Sequence, residues 1–352
     1  MRFLRRLFII AALAVSTVGA MANPVLLVDA ATTEVLYADE AGQPWHPASL
    51  TKLMTAYVAF AAIATGRVTV DTPVRISQNA WNQAPSKSGL KVGASVTMID
   101  ALYIMLVKSA NDMAIAIAET VSGSEDKFVD EMNRMAKAMN LSATHFVNAN
   151  GLHDKRQVTS ARDLAVLALY IRRDYPQYLP IFGTETVELG PASLETNNGL
   201  LTHFRGTTGM KTGYVCASGL NIVATVERGG RSYLVVVLGG ASARERNEMA
   251  AGMVQRSLDG EIGGTGQSVI NLANLSGDPI DMRPKVCGKQ AKAYMAEREK
   301  AFPMGLKGQP SYLTDEIDGA VYRATDLGDI VTGIPLPRKR PVYAPMASAS
   351  LN

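Results

Sequence analysis

The sequence predicts an α+β fold: a five-stranded antiparallel sheet flanked by helices, with a mostly helical insert. Three observations predict it. Two short apolar segments, Pro24 to Val28 and Glu34 to Tyr37, flank Asp29-Ala30-Ala31-Thr32-Thr33 and read as a β-hairpin. Three further strand-like segments lie far downstream, Gly209 to Tyr214, Leu220 to Val226 and Tyr233 to Leu238, the last two joined by the turn Arg228-Gly229-Gly230-Arg231. Between these groups the apolar spacing is helical, so the insert falls between the second and third strands of one sheet.

Taken in order, the hairpin is followed by a helix from about Ser49 to Ala64, with Pro47 before it and Gly66 as its stop. Residues 67 to 97 alternate short strand signals with Gly, Pro, Ser and Asn, a loop-rich excursion expected to cover a site. Met98, Leu102, Met105 and Leu106 form a helical stripe, interrupted by Ser109-Ala110-Asn111 before a second helix, Met113 to Val121. Phe128 to Met139 is amphipathic. Thr159 to Asp163 caps a helix over Leu164 to Arg172. Residues 174 to 200 read as irregular. Arg244 to Leu258 is the terminal helix of this unit. Beyond Gly260 the character changes: Gly263 to Gly266 reads as a linker, Lys285 to Ala301 holds one helix-prone stretch, and residues 334 to 341 are Pro-rich and basic, a flexible tail. The predicted organisation is an export signal (1–22), a catalytic domain (23–260) and a C-terminal extension (261–352).

The first 22 residues carry Arg2, Arg5 and Arg6, then an apolar run from Leu7 to Val15, then Ala20-Met21-Ala22, the pattern of a cleaved secretory signal. That run is too short for a bilayer span, which needs about 20 apolar residues. Of the 352 residues 47% are hydrophobic and 19% charged, enough for a folded core. The net charge of +3 is the three leader arginines, since the rest carries 32 residues of each sign; a nucleic-acid footprint is absent. Two cysteines in an exported chain, Cys216 and Cys287, permit a disulfide. The four histidines are dispersed and no Cys/His cluster has metal-ligand spacing, so no metal or other cofactor is expected. His46 lies near Ser49 in sequence and reads as structural.

The chemistry is carried by three short patterns in order. In Ser49-Leu50-Thr51-Lys52, a hydroxyl and an amine lie one helical turn apart, with Cβ atoms roughly 5–6 Å apart. A serine hydroxyl is a weak nucleophile until a base takes its proton, and a lysine serves as that base when burial or a second cation lowers its pKa. Taken alone, the pattern fits a serine cap and a surface lysine better than a catalytic pair. Ser109-Ala110-Asn111 places a polar triplet between two buried helices, and Lys211-Thr212-Gly213 opens a strand.

S-x-x-K, an S-x-N type triplet and K-T-G form the motif set of class A β-lactamases and penicillin-binding proteins. From Pro24 to Leu258 the sequence resembles the bacterial D-alanyl-D-alanine carboxypeptidases, the low-molecular-mass penicillin-binding proteins. Supporting stretches are Pro47 to Ala56, Lys108 to Asp112, Asn148 to Leu152 with Thr159 to Leu164, and Gly209 to Tyr214. The resemblance implies a β-lactamase/transpeptidase-like fold and a serine-type hydrolase that removes the terminal D-alanine from the peptidoglycan pentapeptide, with β-lactams as inhibitors and location in the periplasm. It implies Ser49 as nucleophile, Lys52 as its base, Ser109 as proton relay to the leaving D-alanine, Asn111 as holder of Lys52 and the substrate amide, and Lys211 as the cation for the terminal carboxylate. Thr212 and Gly213 would line the docking edge, and the N–H groups of Ser49 and Tyr214 would form an oxyanion hole.

The chain departs from the family pattern in three places. Position 215 is Val where a hydroxyl residue is frequent. The region after Gly260 does not resemble the family's β-rich second domain. The C-terminus lacks an amphipathic anchor, which leaves membrane attachment open. A Cys216–Cys287 bridge would tie the extension beside the Lys211 strand. Competing readings are a D,D-endopeptidase cutting cross-links, a β-lactamase, and a non-catalytic wall-binding scaffold. From Asn140 to Ala165 there is no glutamate of the kind that drives class A deacylation, so slow penicillin release is expected.

Overall fold

The computed structural model describes residues 23–329. The predicted leader and the Pro-rich basic tail lie outside the described residues. The chain opens with β1 (Val25–Asp29) and β2 (Val35–Asp39), whose connection is held by the Asp29 carboxylate accepting from the backbone N–H groups of Ala31 and Thr32. A 3-10 turn over Ala48–Thr51 runs directly into α1 (Lys52–Ala64). Next come β3 (Pro73–Arg75), β4 (Ala94–Thr97) and α2 (Met98–Val107), capped by the Thr97 hydroxyl. Then follow α3 (Asn111–Ser122), ended by left-handed Gly123, and α4 (Glu125–Ala138), capped by Ser124. Helix α5 (Ala161–Asp174) begins at Ser160, whose hydroxyl accepts from Asp163 N–H.

Residues 174–200, expected to be irregular, form β5 (Thr184–Leu189) and β6 (Ala192–Glu195), an antiparallel pair joined through Gly190. Strand β5 reads Thr-Glu-Thr-Val-Glu-Leu, with too few apolar residues to announce itself. The three downstream strands are β7 (Thr207–Val215), β8 (Gly219–Arg228) and β9 (Arg231–Gly240), followed by α6 (Ala243–Leu258).

The main sheet has the order β2-β1-β9-β8-β7 and is antiparallel throughout. Its strands are apolar on both faces, because alternate residues point to opposite sides. Leu234, Val236 and Leu238 face the core shared with α1, α2 and α3, while Tyr233, Val235 and Val237 face the core under α6. This two-layered burial leaves β7 as an edge strand against the Ser49 turn.

The extension is not joined by a free linker. The backbone of Thr265 to Val269 runs along the outer side of β2, with Thr265 N–H on Val35 O, Val35 N–H on Gln267 O and Val269 N–H on Thr33 O. Asn274 then bonds Ser142, Ser160 and Asp163. The Met282 N–H donates to Ala217 O, and Cys287 is disulfide-bonded to Cys216. The single helix expected over Lys285 to Ala301 is split into a short turn, Arg283–Val286, and α7 (Ala291–Ala301), with Cys287 and Gly288 between them. Arg298 of α7 reaches the buried Glu245 of α6, and Tyr312 lies over Gly252. Strand β10 (Ala320–Ala324) adds in parallel to β5, Tyr322 stacks on Tyr103, and β11 (Gly328–Asp329) adds to β4. The extension thus passes around the body and touches the sheet layer and the helical layer in turn.

Candidate active site

A cavity of about 550 Å³ opens between the start of α3 and the free edge of β7. Ser49, Ser109, Asn111, Thr212, Gly213 and Tyr214 line it, so residues from three separate stretches of the sequence meet there. Lys52 and Lys211 lie buried behind this wall. Two glycines permit the approach of the backbones. A Cβ at Gly213 would stand 3.0 Å from the backbone nitrogens of both Ser49 and Leu50, and one at Gly151 would overlap the Ala48 carbonyl. Gly151 also has φ +87°, which disfavours other residues.

Lys52 sits at the first turn of a mostly apolar helix and is fully buried. Its Nζ lies 3.0 Å from Ser49 Oγ, donates to Asn111 Oδ1 at 2.7 Å and donates to the Asn150 carbonyl. Burial holds the Lys52 pKa well below the ordinary lysine value, and the Lys211 cation lowers it further, against a smaller opposing pull from Asp112. The geometry accounts for each valence of a neutral amine. Two N–H groups are used by two carbonyl oxygens, which accept only, and the remaining lone pair is available to the Ser49 hydroxyl. Asn111 is held in this orientation because its Nδ2 donates to Ala84 O at 2.9 Å. The excursion of residues 67–97 therefore does reach the site: Ala84 orients Asn111, and Pro85 and Ser86 line the cavity.

Ser109 sits just before α3 at φ +62°, nearly buried, and faces the cavity. Lys211 is buried on β7 and donates to Thr212 O at 2.8 Å. Burial lowers its pKa to about 7, with Arg246 adding to the effect. Tyr214 is 49% exposed, and its hydroxyl lies 3.1 Å from Cys287 Sγ. His46 donates through Nδ1 to Gln157 O; it buttresses the loop after Gly151, in keeping with a structural part.

Three contributors escaped the sequence reading. The Asn150 carbonyl is a backbone group and has no residue-type signal. Asp112 is buried beside Asn111 and fixes the cleft loop by accepting from the Ser88 N–H and hydroxyl. Arg246 of α6 is buried, lines the cavity, and is held by the carbonyl of Asn197 and the side chain of Asn247. Burial lowers its pKa to about 10, so it remains a cation beside Lys211. No acidic side chain pairs with Arg246 among the described residues. A buried cation without a counter-ion is costly, and an arriving carboxylate relieves that cost.

Comparison with known proteins places this architecture. The D-alanyl-D-alanine carboxypeptidase family model (peptidase S11) matches residues 12–242. D-alanyl-D-alanine carboxypeptidase DacD of Escherichia coli is 34% identical over 232 residues, 64% of this chain and 60% of the relative. DacF of Bacillus subtilis is 31% identical over 238 residues, 66% of this chain and 61% of the relative. The match spans about three fifths of the length of these relatives. Among solved structures, penicillin-binding protein 6B of Escherichia coli superposes with a TM-score of 0.63 at 34% identity, covering 66% of this chain and 76% of that one. Penicillin-binding protein D2 of Listeria monocytogenes, in its cefotaxime-bound form, gives 0.61 at 29% identity, covering 67% and 97%. The fold is that of the penicillin-binding proteins, and the chain belongs to the D-alanyl-D-alanine carboxypeptidase family.

Proposed function

We propose that this protein is a serine-type D-alanyl-D-alanine carboxypeptidase that removes the terminal D-alanine of peptidoglycan pentapeptides. The observation that carries the reading is the Lys52 amine, buried, with both N–H groups committed to carbonyls and its lone pair toward Ser49. Ser49 Oγ attacks the carbonyl carbon of the penultimate D-alanine as its proton passes to Lys52 Nζ. The N–H groups of Ser49 and Tyr214 receive the developing oxyanion, and losing one such donor typically costs ~3–4 kcal/mol. Ser109 relays the proton to the leaving amine, D-alanine departs, and water hydrolyses the Ser49 ester. Lys211, Thr212 and Arg246 hold the terminal carboxylate. A β-lactam enters the same cleft and acylates Ser49, and the lack of a glutamate between Asn140 and Ala165 supports slow release.

Residues 1–22 export the protein to the periplasm in this reading. Residues 23–260 form the catalytic domain, and 261–352 form an extension fastened around it. The test is intact-mass measurement of residues 23–352 with benzylpenicillin, beside Ser49→Ala. A stable adduct lost in the variant is expected; no adduct and no penicillin turnover would leave a wall-binding scaffold, and rapid turnover would mean a β-lactamase. Release of D-alanine from pentapeptide, compared with cutting of a cross-linked dimer, separates carboxypeptidase from endopeptidase.

A further inference from the structure

We propose that Cys287 of the extension is a positioning residue for the cleft: through its bridge to Cys216 it presents a fixed sulfur that holds the Tyr214 side chain in place for the docking peptide. The inference rests on the proposed carboxypeptidase reading and concerns how tightly the substrate is bound, not how fast Ser49 reacts.

Tyr214 lines the cavity and is half exposed. Its backbone is fixed by the body, since Tyr214 pairs with Leu220 of β8. Its side chain has no such support. Among the described residues the hydroxyl meets two atoms within hydrogen-bond reach, Cys287 Sγ at 3.1 Å and Cys216 Sγ at 3.8 Å, and no aromatic ring stacks on it. A disulfide sulfur carries no hydrogen, so the phenol donates and the sulfur accepts. The bridge is thus the one hydrogen-bonded anchor of a ring that is otherwise free to change rotamer.

The anchor is itself held from both ends. Cys216 lies in the turn after β7, where Ser218 N–H donates to Val215 O at 2.9 Å and Trp45 Nε1 donates to Ser218 O at 2.9 Å. Cys287 follows the short turn Arg283–Val286, and its N–H donates to Arg283 O at 3.0 Å. The buried Met282 precedes that turn and donates its N–H to Ala217 O at 2.9 Å. The ring bears on the substrate because the Tyr214 N–H is the proposed oxyanion donor. Nitrogen and Cβ share one Cα, so a carbonyl oxygen received by that N–H lies beside the Tyr214 side chain. A ring already held there offers its surface without being ordered by the ligand. Lys52 and Asn111 are held by the Asn150 and Ala84 carbonyls, bonds that do not involve the bridge. Loss of the bridge therefore weakens binding and spares the chemical step.

The test is a mutant cycle on D-alanine release from pentapeptide, with the wild-type chain, Cys216→Ser/Cys287→Ser, Tyr214→Phe and all three substitutions together. Each lesion is expected to raise KM about fivefold and to keep kcat within about twofold, as the ordering of one side chain on binding implies. The combination should be no worse than either lesion alone, because both remove the same contact. A second arm uses the native chain and stands even where the serine variant does not fold. Dithiothreitol reduces the bridge to two thiols and closes to its own cyclic disulfide, passing over two electrons and two protons. KM should rise in the reduced wild-type chain, return on reoxidation, and stay unmoved by the same treatment in Tyr214→Phe. An unchanged KM without the bridge, KM increases that multiply in the combination, or a loss in kcat alone overturns the positioning role while Ser49 acylation by benzylpenicillin persists. Absence of both peptide cleavage and penicillin adduct in the wild-type chain removes the carboxypeptidase reading, and the positioning role with it.

Discussion

The body of the molecule, residues 23–258, and the extension, 261–329, are built on different forces. The body buries apolar side chains on both faces of its sheet. Within the extension only Val269 and Met282 are buried apolar residues among those described. It is held instead by strand additions, side-chain hydrogen bonds, the Arg298–Glu245 pair and one disulfide. Apolar burial is non-directional and tolerates many sequences. The extension's contacts are directional and depend on individual partners. The reactive cluster follows a third rule, for burial in the body's interior lowers the pKa of a lysine.

The sharpest break of the comparison is Lys52→Ala. Removing the proposed base is expected to slow benzylpenicillin acylation by about 10³-fold or more, and Lys52→Arg should not rescue it, because a guanidinium keeps its proton. Stopped acylation with a folded circular dichroism spectrum checks this. Next is Cys216→Ser/Cys287→Ser. The bridge closes a loop with a sequence separation of 71. Loop entropy then gives about 4 kcal/mol of stability, measured as a shift of the denaturant midpoint. An unchanged midpoint would mean that the strand additions alone hold the extension.

Arg246→Ala should raise KM for the pentapeptide, lowering kcat/KM by about a hundredfold, as loss of a desolvated charge partner does. A change in kcat alone would place Arg246 elsewhere in the reaction. Lys211 sharpens the point through pH. Its pKa is lowered to about 7, so the cation proposed to attract the carboxylate is fully present below that pH and is lost as pH rises through it. An alkaline fall in kcat/KM near pH 7 is expected, and Lys211→Arg should remove it. The acid side runs the opposite way, because protonating Lys52 removes the base. The smallest effect expected is Tyr322→Phe, which deletes the extension's bond to Asp100 at 2.7 Å and should cost about 1 kcal/mol in a thermal or denaturant measurement.

Much of the body was legible because its periods are clean. The β-branched apolar run of β9 and the capped starts at Ser124, Ser160 and Ser242 are local signals. Strands β5 and β6 were not legible, since their partner β10 arrives from over a hundred residues away and their own composition is polar. The linker reading of Gly263 to Gly266 failed for the same reason: the pairing along β2 is long-range. The motif also shows the limit of spacing. Ser88-Gly89-Leu90-Lys91 and Ser124-Glu125-Asp126-Lys127 satisfy the same four-residue pattern as Ser49 to Lys52, yet Lys91 and Lys127 are exposed and Lys52 is buried.

The sequence by itself determined the apolar strand runs of the sheet, the helix starts and the presence of a serine, lysines and an asparagine in a recurring order. These depend on short-range backbone preference and hydrophobic period. Tertiary structure alone decided which lysine is buried with a lowered pKa, because a pKa is set by burial and neighbouring charge. It decided that the Asn150 carbonyl and Arg246 join the cluster, and that the extension is fastened to the turn after β7 through Cys216 and Ala217. Those outcomes depend on which distant segments come within a few ångströms, a property no local pattern contains.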